Sequence, residues 1–113
     1  MIYNLKNLLT HLLTNTKNLP VVYVAGKVTN LPYNEVWTKF KVKQLELESK
    51  GFFVINPMEH VNETEGWQKA MRICVMLLAV SDHVCLLNDW HLSKGATLER
   101  NLALPLGINF IEG

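Results

Sequence analysis

Apolar residues follow two rhythms along the chain. Short apolar runs at Val21–Ala25, Phe52–Ile55, Val84–Leu87 and Ile108–Ile111 read as strands. The first of them, β-branched and unbroken, reads as a central parallel strand buried on both faces. Longer stretches between the runs carry apolar residues at helical spacing. Val36, Trp37, Phe40 and Leu47 mark a helix over Tyr33–Lys50, and Trp67, Met71, Cys74 and Leu78 mark one over Glu65–Ala79. A third helix opens after Gly95 and closes at Leu106-Gly107. Strands alternating with helices predict right-handed βαβ crossovers, hence an α/β domain with a parallel sheet of roughly four to five strands.

Ahead of the sheet, Ile2, Leu5, Leu8, Leu9, Leu12 and Leu13 predict an amphipathic helix. Residues 1–18 are expected to be this helix and its connector, and residues 19–113 the α/β domain. Polar residues interrupt the leucines and no small-residue cleavage site follows, which argues against a signal peptide. A role packed on the sheet, or on a second subunit, is expected instead. No apolar run approaches the ~20 residues of a membrane span.

Composition narrows the function classes. The chain has 113 residues and a formal charge of +1, with acids and bases interspersed, so it shows no electrostatic footprint for nucleic acid. Cys74 and Cys85 sit inside apolar runs, as expected for reduced thiols of a cytoplasmic protein. No C-x-x-C or H-x-x-x-H spacing occurs, and neither a metal nor a cofactor is expected. Neither G-x-G-x-x-G nor G-x-x-x-x-G-K-[ST] is present, which removes the common dinucleotide and P-loop readings. A small molecule is the expected partner.

The candidate site follows from topology. Loops after Ala25, Ile55 and Leu87 should emerge on one edge of a parallel sheet, bringing Tyr23, Gly26, Asn56, Asn88, Asp89, Ser93 and Glu99 near it. Gly95-Ala96 leaves room for a substrate against the backbone. Glu99 is the odd residue: helical spacing puts it beside Leu102, Ala103 and Leu106, where a carboxylate needs a partner or a purpose.

V-Y-V-A-G at 22–26, Asn56-Pro57, Ser81-Asp82 and S-K-G-A-T-L-E at 93–99 resemble, in their order and spacing, the nucleoside 2-deoxyribosyltransferase family. The likeness spans about residues 20 to 112 and points to a branch of small, often phage-borne relatives. It implies a flavodoxin-like three-layer α/β/α sandwich, here with an extra N-terminal helix, and a homodimer or larger assembly. It implies that Glu99 is the nucleophile, that Ser93 contacts a 5'-phosphate, and that Tyr23, Gly26 and Val28 line a nucleoside pocket. Three positions depart from the family. Cys74 stands where an aspartate protonates or steers the leaving base, Ser93 replaces an aspartate of the transferase branch, and Thr29 replaces a phosphate-binding arginine.

Plainer roles are open for the same residues. Glu99 can be a solvated helix residue or a partner of Arg72 or Arg100, Ser93 an N-cap, Asp89 an ordinary loop acid and Cys74 a packed thiol. His60 and His91 read as non-catalytic, and Trp90 as a loop anchor. The expected function is therefore N-glycosidic cleavage or base exchange on a 2'-deoxynucleoside or its 5'-monophosphate. The alternative is a weak or inactive nucleotide-binding module, and an assembly role for the N-terminal helix is a third reading.

Overall fold

A computed structural model describes residues 2–112; Met1, Gly113 and the side chain of Ile2 lie outside the described residues. The elements run α1 (Ile2–Leu13), β1 (Val21–Ala25), α2 (Tyr33–Ser49), β2 (Phe53–Ile55), α3 (Trp67–Ala79), β3 (His83–Leu86), α4 (Lys94–Ala103) and β4 (Asn109–Glu112). The strands form one four-stranded sheet in the order β2-β1-β3-β4, and every pairing is parallel. This is a flavodoxin-like α/β arrangement with one additional helix at its start. Its strand count is the lower of the two expected.

The unbroken apolar sequence of β1 has a direct cause. Val22 and Val24 face a core built with Val36, Phe40 and Leu47 of α2. Tyr23 and Ala25 face the opposite core, with Ile73, Leu77 and Leu78 of α3 and Ala96 and Ala103 of α4. A strand covered on both faces has no polar side to alternate with. Tyr23 is paired in register with Ile55 on one side and Val84 on the other, which fixes its side chain under α3 and α4.

The helix α1 packs on its own sheet. Leu8 is 1 % exposed and belongs to the α3/α4 core. Burying one such side chain contributes roughly 2 kcal/mol. Asn4 Nδ2 donates to the His60 carbonyl at 2.9 Å, and His11 Nε2 lies 3.2 Å from the Val54 carbonyl, which ties the helix to edge strand β2 and to the turn that follows it. Leu5, Leu9 and Leu13 remain exposed. Two helix ends differ from expectation. Gly66 caps α3, so Glu65 lies in the loop ahead of it. The helix α4 stops at Ala103 because Pro105 has no N–H to continue the ladder. Among the described residues no helix is long and apolar enough to cross a membrane.

Candidate functional site

Two glycines shape the carboxyl edge of the sheet. A Cβ on Gly26 would stand 2.6 Å from Leu87 Cδ1 and 3.0 Å from Leu87 Cβ, so only glycine lets the exits of β1 and β3 lie this close. A Cβ on Gly95 would stand 2.9 Å from Met71 Sδ, so the missing side chain also serves the packing of α4 against α3. Ser93 begins α4 as its N-cap, its Oγ accepting from the Ala96 amide at 3.1 Å. The first turns of α4 thus start beside the β1 exit and carry Glu99 inward.

The result is a cavity of about 510 Å³, within the range usual for small-molecule sites. Tyr23, Gly26, Val28, Ser93, Gly95 and Glu99 all line it. Asn56 and Asp89 do not, because each is occupied elsewhere. Asn56 is fully buried; its Nδ2 donates to Gln44 Oε1 at 3.1 Å and its Oδ1 caps the turn at Met58 N, 3.0 Å away. Asp89 accepts from Lys39 Nζ at 2.6 Å and from the Lys27 amide at 3.0 Å, pinning the β1 loop to the β3 loop. These bonds hold the Asp89 carboxyl below its ordinary range against the opposing effect of burial. Asn88 and His91 are exposed, and Trp90 packs against the core.

Glu99 is 4 % exposed. Neither Arg72 nor Arg100 pairs with it. The guanidinium of Arg100 lies instead over the rings of Trp90 and Phe110, at 5.9 and 5.7 Å from their centroids. The hydrogen-bond partner of Glu99 is Tyr23, whose hydroxyl donates to Oε2. Burial pushes the Glu99 carboxyl up to about 7, and the Tyr23 hydrogen bond opposes that rise. Tyr23 itself is held well above its ordinary value by burial first, then by the neighbouring Cys74 and Glu99. It therefore stays a neutral donor.

Cys74 packs against the α3/α4 core, as a structural thiol would, but it also lines the cavity. Burial, with the charges of Glu99 and Glu65 added, pushes it up to about 12. Among the described residues no three potential ligands come together to hold a metal ion. The loop between β2 and α3 supplies lining residues that the pattern did not single out, notably Met58, Glu63, Glu65 and, at the start of α3, Trp67. Its position after a parallel strand was the available signal, and Glu63-Thr64-Glu65 is its most polar segment.

The model of a domain of unknown function, DUF4406, matches residues 20–112. The chain belongs to the DUF4406 family. The matched stretch holds all four strands and every residue lining the cavity, and leaves α1 outside the DUF4406 domain. No curated protein matches the chain.

Proposed function

We propose that this protein cleaves the N-glycosidic bond of a 2'-deoxynucleoside or its 5'-monophosphate, or exchanges the base, with Glu99 as nucleophile. The observation carrying this reading is a carboxyl group 4 % exposed, without an ion-pair partner among the described residues, in the wall of a concave cavity. Tyr23 engages Oε2 and leaves Oε1 for attack on the anomeric carbon. The C1'–N bond breaks, its electron pair leaves with the base, and the base takes up a proton from solvent water. Water or a second base then attacks the same carbon, releases the Glu99 carboxylate and completes hydrolysis or transfer. The resemblance of segments 22–26 and 93–99 to nucleoside 2-deoxyribosyltransferases supports the same assignment.

The test is incubation with a panel of deoxynucleosides and their monophosphates, with and without an acceptor base, and chromatography of the products. Base release that disappears in Glu99→Ala is expected. No release, or release unchanged in that variant, refutes the reading.

One observation favours a second reading, a binding module of the same fold with little turnover. A thiol pushed up to about 12 is a poor donor to a leaving base, and Cys74 stands where the resembling family places its acid. Ligand-induced thermal stabilisation without base release selects this reading. We place the protein in the cytoplasm on the strength of its two free thiols, and as a homo-oligomer with the exposed leucines of α1 as one contact.

A further inference from the structure

One stretch of the cavity wall has little regular structure of its own. Pro57, Met58, Val61, Asn62, Glu63 and Glu65 line the cavity from the segment between β2 and α3, which holds a single short helical turn at Pro57–Glu59. Among the described residues, the hydrogen bonds of residues 57–64 reach no more than four positions along the chain, with one exception. The exception comes from α1, where the Asn4 side chain, itself buried, donates to the His60 carbonyl. The His11 ring of the same helix stands 5.6 Å from the His60 ring and 4.6 Å from the Phe53 ring. Leu8 adds an apolar contact, since it and Val61 pack on one core with Tyr23. His60 is buried but does not line the cavity; what it meets is α1.

We infer that α1 is a strap on the cavity: docked, it holds residues 57–63 in place as wall, and released, it lets that wall open. A loop tied only to itself opens at low cost, so contacts from outside it decide how far it stays closed. Here those contacts are the Asn4 hydrogen bond, the His11 ring and the buried Leu8 side chain, all from one helix. Undocking that helix takes the donor from the His60 carbonyl and uncovers apolar surface on Leu8 and Val61, and both costs favour the closed wall. The DUF4406 match starts at residue 20, so the strap is an addition to that domain. None of this depends on what the cavity binds.

The test is Asn4→Leu in the full chain, which keeps the side-chain size and removes the donor. Two readouts are taken: amide hydrogen exchange at Glu59, His60 and Val61, followed by nuclear magnetic resonance, and labelling of the two thiols by uncharged N-ethylmaleimide. Cys74 lines the cavity, whereas Cys85 is buried in the opposite core and reports unfolding of the whole domain. Loss of one hydrogen bond is expected to speed loop exchange and Cys74 labelling about fivefold, with Cys85 labelling unchanged. Leu47→Ala, which loosens the opposite core, is the control and should leave the loop as it is. Leu8→Val, a milder loss on the same helix, is expected to act like Asn4→Leu and serves if that variant does not fold. Loop exchange unchanged by the α1 variants overturns the inference. So does faster exchange with Cys74 labelling unchanged, or a rise that Cys85 or Leu47→Ala matches.

Discussion

Replacing Glu99 by glutamine should stabilise the protein above neutral pH and leave it nearly unchanged in acid. The folded state holds this carboxyl at about 7 rather than the ordinary 4.5 because it is buried. Below about 4.5 both the folded and unfolded chains keep the proton, and burial of the neutral acid carries no charge penalty. As pH rises toward about 7 the unfolded chain releases its proton and the folded chain does not, so stability is lost. At ~1.36 kcal/mol per pH unit, the full loss is on the order of 3 kcal/mol. Glutamine keeps the size and an acceptor for Tyr23 but never ionises. Urea melts of both proteins from about pH 4.5 to about pH 8 should therefore show a difference that grows by that amount and then levels off.

The wild-type curve alone would hide this. Burial depresses His60, helped by His11, from 6.5 to about 4, and its contribution has the opposite sign. That stability is present above about 6.5 and is lost as pH falls through about 4, partly cancelling the Glu99 slope. The comparison of variant with wild type removes His60 from the difference. A difference that stays constant across the whole range would show that Glu99 is not held protonated by burial, and the reasoning about the site would fail with it.

Other outcomes follow from the same geometry. If Glu99 is the nucleophile it must be deprotonated, so base release should fall about tenfold per unit as pH drops below about 7, and a flat pH–rate profile would contradict this. Tyr23→Phe removes the hydrogen bond that opposes the rise of Glu99; the midpoint of that profile should move upward, with ~1–3 kcal/mol lost in a urea melt. Cys74→Asp should raise base release if the missing acid limits turnover, and the product assay reads this directly. Leu8→Ala should cost ~2–5 kcal/mol in a urea melt, whereas Leu9→Ala, on the exposed side of α1, should cost little; equal effects would place α1 off the sheet.

Element type and order were legible because burial repeats locally. A strand covered on both faces must be apolar throughout, and Val21–Ala25 is; a helix covered on one face repeats its apolar residues every three or four positions, and α2 and α3 do so through Val36, Phe40 and Leu47, and through Met71 and Leu78. Parallel strands then place their loops on one edge, which was enough to bring Tyr23, Gly26, Ser93 and Glu99 together on paper. Which polar groups at that edge face the cavity was a matter of partners distant in sequence. Asn56 is taken by Gln44 and Asp89 by Lys39, on α2 in both cases, while Glu65 meets the cavity from a loop that carries no periodic pattern. The protonation of Glu99 was equally out of reach, since it depends on burial and on a hydroxyl from a strand 76 positions earlier. Periodicity records what each segment must hide from water, but the environment of a charged group is set by everything the fold brings around it.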